Sequence, residues 1–143
     1  MEFKYERKIN YYETDKMGIV HHSNYIRFLE ETRVEWMENA DMPFAKLEES
    51  GFTIPVLGVN IEYKNHVTFD DTIIIKPYVK EYNGVRLTVG YEVTNKENGK
   101  IVITGETKHC FTDKNLRPVN LKKAAPDFSD KFENLGTFIK CQK

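Results

Sequence analysis

Cysteine is nearly absent from this 143-residue chain: Cys110 and Cys141 are its two copies. They stand far apart and follow no metal-ligand spacing, so neither a zinc ribbon nor a redox pair is indicated. A reduced, cytoplasmic protein is the simplest reading of that scarcity. Long apolar runs are also missing, so no membrane span is expected, and residues 1–20 lack the apolar stretch of a secretory signal. Charge of one sign is not in excess, with 21 Lys+Arg against 22 Asp+Glu. Basic residues are scattered apart from the Lys122-Lys123 pair, which argues against a nucleic-acid partner. No repeat, low-complexity run or linker divides the sequence. Residues 1–143 are therefore expected to form a single domain, long enough to bury a core.

What the chain does have is clear periodicity. In residues 3–12, Phe3, Tyr5, Ile9 and Tyr11 alternate with Glu6, Lys8 and Asn10, the pattern of a half-buried strand. From Ser23 or Asn24 to Ala40 the period lengthens. Tyr25, Phe28, Leu29, Thr32, Trp36 and Ala40 then share one helical face, with Ser23 as the expected N-cap. Phe28 and Trp36 read as core. At ~1.5 Å per residue this helix spans roughly 25 Å. Asp41 and Pro43 restart a short helix to about Ser50, stopped by Gly51. Four segments rich in Val, Ile, Thr and Tyr follow, at 54–63, 72–82, 85–94 and 100–112. Asn83-Gly84 and Glu97-Asn98-Gly99 supply tight turns between the last three, which predicts an antiparallel meander. The tail after about residue 118 is polar and mixed, and loose packing is expected of it. The order predicts an α+β fold, with an antiparallel sheet of about five strands wrapped around one long central helix. A sheet with exposed edges also invites pairing with a second copy.

Residues 12–25 (YETDKMGIVHHSNY) place one carboxylate, Asp15, on a glycine-containing loop just before the long helix. A helix N-terminus offers free N–H groups and a positive partial charge. One small region could thus hold a working carboxylate and stabilise a developing oxyanion. Taken alone, Thr14-Asp15 before a helix reads first as a capping or turn pair. Gly18 reads as a positive-φ turn residue that also lets backbone approach a ligand. Asn24 either orients the loop by hydrogen bonding or is a polar first-turn residue. His21 and His22 form no recognised metal set with Asp15, and no metal is expected. One imidazole is expected to line a pocket while the other packs or meets solvent. His109, in a predicted strand, reads as a satisfied structural residue, and Asn65-His66 could lie near the pocket through the sheet.

The acidic pair Glu13 and Asp15, then Gly18-Ile19-Val20-His21-His22-Ser23-Asn24-Tyr25, resembles the signature of hotdog-fold thioesterases. The 4-hydroxybenzoyl-CoA thioesterase-like branch, which includes small bacterial acyl-CoA thioesterases, is the best match. Phe69-Asp70-Asp71 resembles the family's turn into its third strand. The likeness implies a thioester hydrolase with Asp15 as base or nucleophile and the backbone N–H of His22 as oxyanion donor. It further implies substrate contacts at Gly18, His21, Asn24 and Tyr25. No cofactor is implied. The implied substrate is an acyl-CoA or acyl-carrier-protein thioester, bound in a homodimer or a dimer of dimers whose active sites lie at the dimer interface. A non-catalytic acyl-thioester-binding protein of the same fold is the alternative of a different class, since fold alone does not settle function. Coenzyme A phosphates would need cations at the pocket mouth; Arg86, Lys64 and Arg117 are candidates, although solvated surface charge is the simpler reading of each.

Overall fold

The architecture follows from where the long helix can bury its apolar stripe. A computed structural model describes residues 3–140, so Cys141 lies outside the described residues. Strand β1 (Tyr5–Lys8) leads through a 3-10 turn (Tyr11–Glu13) and a loop into helix α1 (Ser23–Asn39), with α2 (Phe44–Glu49) after it. Strands β2 (Val56–Tyr63), β3 (Thr72–Tyr82), β4 (Arg86–Asn95) and β5 (Ile101–Cys110) come next, then α3 (Leu121–Ala124) and α4 (Pro126–Lys140). The strands form one antiparallel sheet in the order β1-β3-β4-β5-β2. Its inner residues, including Ile73, Ile75, Leu87, Val89, Tyr91 and Ile103, join Tyr25, Phe28, Leu29 and Trp36 of α1 in one core. The expected meander is β3-β4-β5, turned at Gly84 (φ 91°) and Gly99 (φ 72°).

Three expectations need correction. The first strand ends at Lys8 rather than near Tyr12. The Glu13 carboxylate accepts the Asn10 N–H at 2.8 Å, which closes a turn and leaves Tyr11 and Tyr12 exposed at 74 % and 80 %. Ser23 is not the N-cap: His22 holds that position, and the Ser23 hydroxyl pairs instead with His21 Nδ1 at 2.8 Å. The tail after residue 118 is not loose. Leu121 is fully buried, Phe132 stacks on Tyr82 at 5.6 Å between centroids, and Ser129 bonds the Tyr82 hydroxyl at 2.6 Å. Its apolar residues recur at helical spacing among polar ones, and mixed composition concealed that stripe.

The sheet has two edges, β1 and β2. Strand β2 pairs with β5 on one side, and Val56, Leu57, Val59 and Tyr63 are among its exposed residues. An eight-residue edge carrying that much apolar surface is unusual for a strand that faces water.

Candidate active site

The loop ahead of α1 is a narrow turn closed by its own backbone. Asp15 N–H donates to Ile19 O at 2.8 Å, and Gly18 N–H donates to Asp15 O at 3.0 Å. Gly18 takes φ 80°, a conformation that disfavours any side chain. A Cβ there would meet nothing within 4 Å, so the glycine serves the turn and is not packed against the chain's own backbone. One oxygen of Asp15, Oδ1, accepts the Met17 N–H at 2.8 Å, which fixes the carboxylate's direction.

Glu13 ties this turn to the helix. Its carbonyl accepts both the His21 N–H at 2.9 Å and Asn24 Nδ2 at 2.8 Å. Its carboxylate, nearly buried, is paired with Arg7, which also reaches Glu31 at 2.8 Å and lies over the Phe28 ring at 4.3 Å. Asn24 is therefore a loop-orienting residue, one of the two readings its position allowed. Asn24→Ala would remove a buried hydrogen bond and is expected to cost about 1–2 kcal/mol in urea unfolding.

A cavity of about 340 Å³ opens beside the turn. Its lining includes Asp15, His22 and Tyr25 from the loop and α1, and Tyr63, Lys64 and His66 from the end of β2 and the loop after it. The His22 N–H meets no acceptor among the described residues, as befits the mouth of a helix. Tyr25 is buried edge-on to Phe28 and Tyr63, and burial pushes its hydroxyl up to about 12, so it stays a neutral donor. Gly18, His21 and Asn24 stand beside the cavity and are not in its wall. His21 is exposed and stacked on His22, with ring centroids 4.3 Å apart. Of the three phosphate candidates, Lys64 lies at the cavity, while Arg86 and Arg117 do not. Among the described residues no three His, Cys, Asp or Glu side chains converge on a point that could hold a metal ion.

A second, more apolar cavity of about 480 Å³ lies further along α1, between that helix, the sheet and α4. Its walls include Arg33, Trp36, Val89 and His109. His109 meets the expectation of a satisfied residue at one nitrogen, since its Nε2 bonds Thr107 Oγ1 at 2.7 Å. Its buried Nδ1 has no hydrogen bond of regular geometry among the described residues, although the Ile54 and Pro55 backbone beside the ring favours its protonated form. Burial first, and then the Arg33 charge, push this imidazole down to about 4. A histidine harder to protonate folded than unfolded contributes full stability above about pH 6.5. That contribution is lost as pH falls from there toward 4, by up to ~3 kcal/mol. The wild type should thus lose more stability between pH 7 and pH 4.5 than His109→Gln does, measured by urea unfolding at both values.

With this geometry in place, comparison with known proteins decides the family. The model of the thioesterase-like superfamily matches residues 9–134. The chain belongs to the thioesterase-like superfamily. YneP of Bacillus subtilis (strain 168), named as a candidate acyl-CoA thioesterase, is 31 % identical over 131 residues, covering 91 % of this chain and 94 % of that protein. The acyl-CoA thioester hydrolase YbgC of Escherichia coli O157:H7 is 23 % identical over 122 residues, 85 % of this chain and 91 % of its own. Among solved structures, a DHNA-CoA thioesterase from Staphylococcus aureus superposes with a TM-score of 0.90 at 27 % identity, covering 98 % of this chain and 94 % of that one. By family this hotdog thioesterase is a thioester hydrolase, and its five-stranded antiparallel sheet around α1 is the fold it shares with the Staphylococcus aureus structure.

Proposed function

We propose that this thioesterase hydrolyses acyl-CoA to a free carboxylate and coenzyme A, using Asp15 and the His22 N–H. The observation that carries this reading is their placement: Asp15, with its carboxylate directed by the Met17 N–H, and His22, with an N–H that meets no acceptor among the described residues, line one cavity. A thioester carbonyl lying between them would have its oxygen on His22 N–H, where charge accumulates as the carbon becomes tetrahedral. Acting as base, Asp15 takes a proton from water as the water oxygen bonds to the carbonyl carbon. The intermediate then collapses, the C–S bond breaks, and the departing thiolate takes that proton. Acting as nucleophile, Asp15 bonds to the carbon itself, expels the thiolate and leaves a mixed anhydride for water to open. Both routes use the same two groups. Tyr25 and the His22 ring shape the cavity beside the carbonyl, while Gly18, His21 and Asn24 hold the turn and helix start in register around the substrate.

The exposed β2 edge supports a homodimer, or a dimer of dimers, in which β2 strands pair across a two-fold axis. Cys110, which forms no disulfide among the described residues, suits a cytoplasmic protein. Because Val59 lies near the middle of β2, two copies would meet close to it, and Val59→Asp would set like charges there. Sedimentation should show a dimer or tetramer for the wild type and a shift to monomer for the variant.

The test of the activity is thiol release from a panel of short, long and aromatic acyl-CoAs, with an acyl-carrier-protein thioester alongside. Hydrolysis of at least one acyl-CoA is expected. Silence on every thioester, with the protein folded, would remove the enzymatic reading and leave binding.

A further inference from the structure

Beside the Asp15 cavity lies a smaller one of about 230 Å³, and the two share Asn65 and His66 as a common wall. The second is completed by Asn95, Asn98, Lys100 and Val102. This adjacency is built by the sheet. The backbone N–H groups of Lys64 and Asn65 both donate to Val102 O, at 2.9 and 3.1 Å, and Asn65 Nδ2 donates to Ile101 O at 2.7 Å. Three bonds thus fix the loop after β2 against the start of β5, leaving the His66 ring at the junction.

Three groups of the smaller cavity, the Asn95 and Asn98 amides and the Lys100 ammonium, are donors, while Asn65 spends its NH2 on Ile101 O. The side-chain oxygen of Asn95 accepts the Glu97 N–H at 2.9 Å, and that of Asn98 accepts the Lys100 N–H at 2.9 Å. Both amides therefore spend their acceptor on the turn and present NH2 groups that have no acceptor among the described residues. Lys100 has no acidic partner among the described residues, whereas Lys64 is paired with Glu62 at 3.0 Å. Glu97, in the same turn, is not part of the wall. Two amide NH2 groups and an unneutralised ammonium suit an anion rich in acceptor oxygens.

The geometry points to a binding track for the coenzyme A leaving group, running from Asp15 past Asn65 and His66 to a phosphate seat formed by Asn95, Asn98 and Lys100. This deepens the acyl-CoA reading and rests on it. The pantetheine arm passes the Asn65 and His66 wall, and a phosphate of the nucleotide end lies on Lys100. Lys100 is absent from the cations that motif reasoning offered, because a lysine in a hairpin turn carries no signal of the cavity beneath it.

The experiment is a KM comparison between an acyl-CoA and the same acyl group on N-acetylcysteamine, which keeps the thioester but has no phosphate. In Lys100→Met the acyl-CoA KM is expected to rise 5–10-fold at low salt. The KM for the truncated thioester should not follow. Lys123→Met, a lysine change on α3 away from the track, should move neither. Calorimetric titration of free coenzyme A, expected to weaken by a similar factor in Lys100→Met, reads the seat without any turnover. An unchanged acyl-CoA KM, an equal rise on both thioesters, or no coenzyme A binding by the wild type would each overturn the track. Absence of hydrolysis with coenzyme A binding still dependent on Lys100 would instead overturn the activity and leave the track standing.

Discussion

Asp15→Asn is expected to lower kcat by about 10³-fold on every acyl-CoA the wild type hydrolyses, with little change in KM. The size reflects loss of a general base, whose removal commonly costs 10²–10⁴-fold, or of a nucleophile, whose loss is no milder. The substitution is chosen for what it preserves. Asparagine keeps a side-chain oxygen where Oδ1 accepts the Met17 N–H, so the turn should survive. It also keeps the volume of the side chain that lines the cavity with His22 and Tyr63. The variant should therefore unfold within about 1 kcal/mol of the wild type, in line with an isosteric surface change. Activity that persists at wild-type level in Asp15→Asn would remove this carboxylate from the mechanism, whatever the family likeness. Single-turnover hydrolysis in heavy-oxygen water then separates the two routes: label carried into Asp15 marks a nucleophile, and label confined to the product acid marks a base.

How far the sequence disclosed this site depends on how local each part is. The turn, Gly18 and the helix start lie within fifteen consecutive residues, so their order and spacing could be read directly. The long helix and the meander carried strong period-3.6 and period-2 signals, and the Asn-Gly turns marked their joints. Lys64, Asn65 and His66 share a cavity with Asp15 because the loop ahead of α1 pairs with the loop after β2, with the Val20 N–H donating to Val67 O at 2.9 Å and Ile19 bridging Thr68. Such a contact has no signature at either end of the chain. The 3-10 turn at Tyr11 was hidden for a related reason. Tyr11 continues an alternating pattern, and a carboxylate two residues away outcompetes it by capping Asn10. Tail helix α4 was missed because its stripe becomes apparent only once Phe111 and Tyr82 are known to await it. His109 finds a partner for its Nε2 in Thr107, two residues away on the same face of β5, while the surroundings of its Nδ1 are set by the Ile54 and Pro55 backbone, which is distant in sequence.

The largest loss of stability is expected from Glu13→Ala, at about 3–5 kcal/mol in urea unfolding. Glu13 is 4 % exposed, and its carboxylate serves two donors at once, the Arg7 guanidinium and the Asn10 N–H. Truncation leaves the guanidinium against Phe28 with Glu31 as its remaining carboxylate, and it strands the Asn10 N–H. Breaking a buried ion pair on one side costs that much because the surviving charge keeps its desolvation penalty. Removal of both charges with Arg7→Leu and Glu13→Leu should cost less than the sum of the two single changes, which a double-mutant cycle would measure. The effect should reach the chemistry through the backbone, since the Glu13 carbonyl holds both His21 N–H and Asn24. Glu13→Gln keeps an acceptor for Asn10 and should fold. Its kcat is expected to fall several-fold with KM nearly unchanged, because the His22 N–H, the proposed oxyanion donor, shifts relative to Asp15 while the cavity stays open. If Glu13→Ala costs under 1 kcal/mol, the clamp is not what holds the loop to the helix. If Glu13→Gln instead raises KM and spares kcat, Glu13 positions the substrate and not the catalytic pair.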